Sequence, residues 1–190
     1  MSAEGALTSF DAAVQSWVLA HQATWVEQIF RWITTVGGIT GMRVLAGAGA
    51  AYLWSRGRRR VAAGVLLAAV VADILFHVVK PLVARPRPLG LGGLVDSSYA
   101  FPSGHATVSA AVCCTLAYVL WREGLVGGRP ALMLAVIVPL LVGVSRLYLN
   151  VHWATDVLGG WFAGLLIAVL SALVYDRYGR RRAVDREASA

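Results

Sequence analysis

The chain has 190 residues, 58% hydrophobic and 14% charged, with a mean hydropathy of +0.66. Soluble domains carry roughly 25% charged residues, so this balance excludes an ordinary water-soluble domain and indicates an integral membrane protein. The formal net charge is +7, and all but one of the 17 cations are arginines; they flank apolar runs, which fits membrane topology rather than nucleic-acid binding.

Residues 7–36 come first. The segment LTSFDAAVQSWVLAHQ is too short to cross a bilayer, and ATWVEQIFRWITTV carries Glu27 and Arg31 beside Trp25 and Trp32. Two short amphipathic helices lying in the membrane interface fit both segments, with a single broken crossing as the alternative. The first residues show no basic region and no long apolar core, so no cleavable signal peptide is expected. A membrane span needs about 20 mostly apolar residues. Runs at 39–55, 61–79, 104–121, 130–149 and 157–175 meet or approach this. The first is the weakest, with Arg43 expected to snorkel to the interface. Pro139 should kink the fourth, which membrane helices tolerate. Gly47 and Gly49 suit close helix packing. The adjacent Cys113 and Cys114 read as small apolar fillers. The expected fold is all-α, a polytopic bundle of about five transmembrane helices with interfacial helices before them. A single domain is expected over 1–190, with interfacial helices at 7–36, a transmembrane core at 39–176 and a frayed basic cytoplasmic tail at 177–190.

Positive charge orients such a bundle. Arg56, Arg58, Arg59 and Arg60 join the first two spans, Arg122 and Arg129 join the third and fourth, and Arg177, Arg180, Arg181, Arg182 and Arg186 follow the last. With five spans all three clusters fall on one side, expected to be cytoplasmic. The connection 80–103 and the stretch SRLYLNVHWATD at 145–156 then share the opposite face.

That face carries the chemistry. Lys80, the only lysine, opens KPLVARPRP with Arg85 and Arg87. Prolines stiffen the segment, and both cation types suit phosphate oxygens; a basic loop among lipid headgroups is the alternative. Phe101-Pro102-Ser103-Gly104-His105 precedes a helix. Ser103 suits an N-cap, Gly104 admits a ligand close to the backbone, and helix-start N–H groups attract anions. His105 would stand beside that anion. Ser145 and Arg146 end one helix. His152 and Asp156 are spaced i, i+4 and share a face if the next helix starts near residue 151. A carboxylate on one imidazole nitrogen leaves the other free to attack, although such a pair can also be structural. Together these groups suit phosphoryl transfer: cations for the equatorial oxygens, an in-line nucleophile, and an acid for the leaving oxygen. No carboxylate cluster suggests a metal, and no cofactor is expected.

The arrangement K-x6-RP, then PSGH, then SR-x5-H-x3-D resembles the type 2 phosphatidic acid phosphatase superfamily, which includes bacterial lipid phosphatases and undecaprenyl-diphosphate phosphatases and shares its site with vanadium haloperoxidases. The motifs cover residues 80–156, and the alternation of spans is similar over about 8–176. The resemblance implies that Lys80, Arg87, Ser103, Gly104 and Arg146 bind phosphate. His152 would be the nucleophile with Asp156 as its partner, and His105 the group that protonates the leaving oxygen and then activates water. Arg85 lies outside the motif register. Membrane members commonly have six spans; the first has no counterpart here, and residues 8–36 resemble the amphipathic segment that follows it.

Asp73 and His77 are a candidate supporting pair near Lys80 or a local Asp–His pair. Tyr148, Trp153 and Trp161 read as interface anchors, and the loop 89–100 as the shaper of an entrance. The expected substrate is a lipid phosphate, with a polyprenyl diphosphate favoured and phosphatidylglycerol phosphate or phosphatidate as alternatives. A lipid-binding or lipid-transporting protein is the alternative class, and vanadate-dependent oxidation a third reading. The expected setting is a bacterial plasma membrane with the site facing outward, the bilayer as partner and no nucleic acid.

Overall fold

The computed structural model describes residues 3–88 and 98–187, with side chains described over 5–88 and 98–177. Among these residues all regular structure is helical: α1 Ala3–Ala20, α2 Thr24–Val36, α3 Ile39–Ser55, α4 Arg59–Val83, α5 Gly104–Arg122, α6 Gly128–Tyr148 and α7 Ala154–Glu187. Four helices are long and apolar enough to cross a membrane: α4, α5, α6, and α7 over Ala154–Arg177. The fifth expected span, α3, has 17 residues, or about 25 Å at 1.5 Å per residue, at the short end of the spanning range. The basic segment after residue 177, expected as a frayed tail, continues α7 as helix to Glu187.

The helices alternate in direction, and glycines record how they meet. A Cβ on Gly38 would lie 3.2 Å from His105 Nε2, and one on Gly49 2.7 Å from Leu116, so α3 runs parallel to α5. Gly47 has no neighbour within 4 Å, so only one of the two glycines expected to pack does so. On α7, Cβ atoms at Gly160 and Gly164 would meet Ser103 O at 2.7 Å and Thr107 O at 2.4 Å. This small-xxx-small face brings the α7 backbone directly onto α5. In the opposite sense, Phe76 of α4 lies against Gly104 while Arg58 pairs with Glu123 at 2.7 Å.

The centre of the bundle is α5, which is 72% buried over its apolar stretch against 28–33% for the other three spans. Its alanines, valines and Cys113 pack against Met42, Leu53, Val65 and Phe76. The outward faces of α4, α6 and α7 expose Leu67, Ile74, Leu132, Phe162 and Leu173, the surface a helix presents to hydrocarbon. Pro139 lies inside α6. Lacking an N–H, it leaves Ala135 O to accept the Cys114 thiol at 3.4 Å.

At one end of the bundle Arg58 and Tyr175 meet Glu123, and Arg122 and Tyr118 meet Asp176. At the other end α1 and α2 pack against α6, α7 and the start of α3. The end of α4, the start of α5, the end of α6 and the start of α7 converge there.

Candidate active site

The stretch 145–151 turns because α6 closes with a left-handed residue. Asn150 has φ 51°; its N–H bonds Leu147 O at 2.9 Å, and Val151 N–H bonds Arg146 O at 3.2 Å. These two bonds make a Schellman closure with asparagine in the position glycine usually takes. The turn carries His152 back toward the bundle, where it is 4% exposed.

The next helix begins at Ala154, three residues later than the expected start near 151, so His152 stands just before α7 rather than on it. The pairing with Asp156 survives for another reason. Asp156 sits in the first turn and its Oδ2 accepts Trp153 N–H at 2.9 Å, as the third residue of a capping box does. That fold-back brings Oδ2 to 3.5 Å from His152 Nδ1, with Asp156 0% exposed. The other imidazole nitrogen, Nε2, lies 2.9 Å from Arg87 NH1. A guanidinium can only donate, so Nε2 holds the lone pair and Nδ1 the proton that faces Asp156.

Arg87 is fixed by Val151 O at 2.8 Å and by Ser98 O and Oγ at 2.7 and 2.8 Å. Lys80, in the last turn of α4 and 8% exposed, donates to the same Ser98 Oγ at 3.2 Å and to Tyr99 O. The two cations are therefore brought together around Ser98. Ser103 holds the N-cap position of α5 with extended backbone, but its hydroxyl makes no capping bond, contrary to expectation. It is fully buried with no hydrogen-bond partner, while its N–H ties α5 to Asp156 O at 3.0 Å. Gly104 packs closely on α4, since a Cβ there would sit 3.1 Å from the Phe76 ring. Arg146, 8% exposed, donates to Thr34 Oγ1 of α2 at 2.8 Å. His105 rests against Gly38, so the last turn of α2 touches Arg146 and the α2–α3 turn touches His105.

Arg85 proves central. Its NH1 donates to Thr155 Oγ1 at 2.6 Å and Asp156 Oδ1 at 2.7 Å, and its NH2 to Asp11 Oδ2 at 2.6 Å. Burial works against this charge, but the bonds to Asp11 and Asp156 outweigh it and hold the guanidinium above its ordinary range. Asp11 was absent from the sequence-based site. Its partners are 74 and 144 positions away, and locally it is just one of two acids on α1.

Other expectations change. Asp73 pairs with Arg43 at 2.8 Å rather than with His77, so Arg43 does not simply snorkel; His77 Nδ1 bonds the Asp73 carbonyl at 2.8 Å. Tyr148 is a buried link whose hydroxyl accepts Ala23 N–H at 2.8 Å and donates to His21 O at 3.3 Å. Trp153 donates to Pro86 O at 2.9 Å under the Arg85 guanidinium. Trp161 joins α7 to α6 through Pro139 O at 3.0 Å. None of the three acts simply as an interface anchor. Residues 89–97 of the expected entrance loop lie outside the described residues.

An imidazole with a carboxylate facing Nδ1 and a guanidinium at Nε2 has the parts for attack on phosphorus. A family model for the PAP2 superfamily matches residues 61–180. The chain belongs to the PAP2 superfamily. As a PAP2 protein it is a membrane-embedded lipid phosphatase. It is 32% identical over 173 residues to phosphatidylglycerophosphatase B of Bacillus subtilis (strain 168), covering 87% of this chain and 83% of the relative. It is 29% identical over 159 residues to an undecaprenyl-diphosphatase of Sulfolobus acidocaldarius, covering 75% and 72%. The crystal structure of a transmembrane PAP2-type phosphatidylglycerolphosphate phosphatase from Bacillus subtilis superposes with a TM-score of 0.79 at 30% identity, covering 91% of this chain and 88% of that one.

Proposed function

We propose that this PAP2 phosphatase removes the terminal phosphate of a polyprenyl diphosphate through a phosphohistidine at His152. The observation that supports the mechanism is the imidazole with Asp156 Oδ2 facing Nδ1 at 3.5 Å and Arg87 NH1 at 2.9 Å from Nε2. Lys80, Arg87 and Arg146 would bind the phosphate oxygens with the Ser103 hydroxyl and the Gly104 amide. Arg87 would turn from Nε2 to a phosphate oxygen, freeing the lone pair. Nε2 then attacks phosphorus, the P–O bond to the leaving group breaks, and Asp156 stabilises the charge gained at Nδ1. His105 supplies the proton to the leaving oxygen, then takes one from the water that cleaves the P–N bond and releases inorganic phosphate. No resident metal or cofactor enters these steps.

The bilayer is the partner that delivers the substrate. The arginine-rich end of the bundle would face the cytoplasm, which places the site on the outer face of a bacterial plasma membrane, with α1 and α2 in the interface. One domain carries the whole reaction. A diphosphate suits a site with three cations plus helix-start amides, and one relative bears the name undecaprenyl-diphosphatase. The name of another favours phosphatidylglycerol phosphate as the second reading. The test is phosphate release by purified protein in detergent with EDTA, across polyprenyl diphosphates, phosphatidylglycerol phosphate and phosphatidate. The highest kcat/KM on the polyprenyl diphosphate is expected. A preference for phosphatidylglycerol phosphate would transfer the assignment to that lipid, and no release from any would sink the phosphatase reading.

A further inference from the structure

Arginine commonly grips a carboxylate with both arms. Arg85 does not do so here. One arm, NH1, takes Asp156 Oδ1 and the Thr155 hydroxyl, and the other, NH2, is held by Asp11. Asp156 Oδ2 is thereby left for Trp153 N–H and the face of His152 Nδ1. Asp11 also caps α7 from outside the helix. Its Oδ1 accepts Thr155 N–H at 2.9 Å and its Oδ2 the Thr155 hydroxyl at 2.6 Å. It does this from a different helix while itself 2% exposed.

The carrier is α1. Asp11, Gln15 and Val18 lie on one face of that helix. Gln15 donates to Asn150 Oδ1 at 3.1 Å, and Val18 is buried. Phe10 and Trp17, on the flank of the same helix, are exposed. Asp11 and His152 line the same small cavity, with Asn150 and Trp153 between them. A buried carboxylate that served only to dock α1 would be an expensive way to do so; this one is spent on the group that faces the nucleophile's partner.

We propose that Asp11 is a positioning residue for the hydrolysis: by holding the second arm of Arg85 and capping α7 at Thr155, it keeps Asp156 Oδ2 aimed at His152. The proposal rests on the phosphohistidine reading above. It makes α1 a support of the site, acting through Arg85 and Thr155. Without the Asp11 charge, Arg85 can close both arms on Asp156 and compete with the imidazole for Oδ2.

The test is steady-state kinetics in detergent on the best lipid substrate. Asp11→Asn keeps an acceptor for Thr155 N–H but removes the charge facing Arg85. Its kcat should fall about tenfold, or 1.4 kcal/mol of barrier. KM and inhibition by vanadate should stay within about twofold of wild type, because the phosphate-binding groups sit on other elements. In an Arg85→Met background Asp11→Asn should cost nothing further, since the two act through one contact. Ser16→Ala, at an exposed position of α1 whose hydroxyl bonds Ala13 O, should keep wild-type kcat. A wild-type kcat in Asp11→Asn, a rise in KM at constant kcat, or losses that simply add to those of Arg85→Met would overturn the proposal. If Arg85→Met does not fold, the kcat-against-KM split in Asp11→Asn still decides. A wild type that released no phosphate would instead overturn the phosphatase reading itself.

Discussion

Under the proposed mechanism, Ser103 is the residue where substrate binding and stability separate most cleanly. Its hydroxyl is buried and makes no hydrogen bond within the protein, so the fold bears the desolvation cost of that group without return. Ser103→Ala should therefore leave the melting temperature unchanged or slightly raised while lowering kcat/KM about tenfold, as loss of one phosphate contact predicts; thermal unfolding and kinetics on the same preparation check this. Asp156→Asn should lower kcat on the order of 10³-fold, because an amide no longer fixes the Nδ1–H tautomer of His152, and single-turnover phosphate release measures it. The motif residues were legible because cations, histidines and an aspartate stand out in so apolar a chain. Lys80 and Arg87 meet at Ser98, and His152 meets Asp156, across short or helical spacings. Asp11 was illegible because an acid on an amphipathic helix, one of two on α1, looks like its solvated face. Only the docking of α1 on the start of α7 reveals its burial. Arg85 was visible as a charge but not as a bridge, for the same reason.

Elements hold the site through their ends. α6 ends in a left-handed Asn150, α7 starts with a self-capping Asp156, and α5 begins at Gly104 against Phe76. Asn150→Gly should preserve the turn at a small loss from the missing Gln15 contact, whereas Asn150→Val, β-branched in left-handed backbone, should cost about 1–2 kcal/mol; unfolding in detergent compares them. The α5–α7 seam makes a sharper prediction. Gly164→Leu would force a side chain into Thr107 O, 2.4 Å from the new Cβ, and should destabilise by about 1–3 kcal/mol. Gly47→Leu, with no neighbour within 4 Å, should leave the melting temperature in place. Apolar runs marked the helices themselves, but three features escaped them. The start of α7 moved to Ala154 because Asp156 caps it there. The Gly160–Gly164 spacing carried a readable packing signal that attention to Gly47 and Gly49 obscured. Tyr148 and Trp161 turned inward because their polar atoms bond backbone carbonyls or amides of neighbouring segments, which hydropathy does not encode.

The whole molecule is a bundle with two chemically distinct ends. One end gathers Lys80, Arg85, Arg87, His152 and Asp156; the other gathers Arg58, Arg122, Glu123 and Asp176. Contacts along α5 show α3 and α7 running parallel to it and α4 antiparallel, an arrangement in which the short α3 lies beside the four candidate spans. In intact cells, with Cys113 and Cys114 replaced by alanine, an impermeant maleimide should label Gln22→Cys at the site end and spare Ser55→Cys at the other; the reverse pattern would invert the proposed topology. The central claim is the covalent intermediate. The most direct measurement is rapid acid-free quenching of the enzyme with a polyprenyl diphosphate labelled in its terminal phosphate, followed by peptide mapping. The account predicts alkali-stable, acid-labile label on His152 that is absent in His152→Ala, which should release no phosphate. Label on any other residue, or continued release by a folded His152→Ala protein, would contradict it.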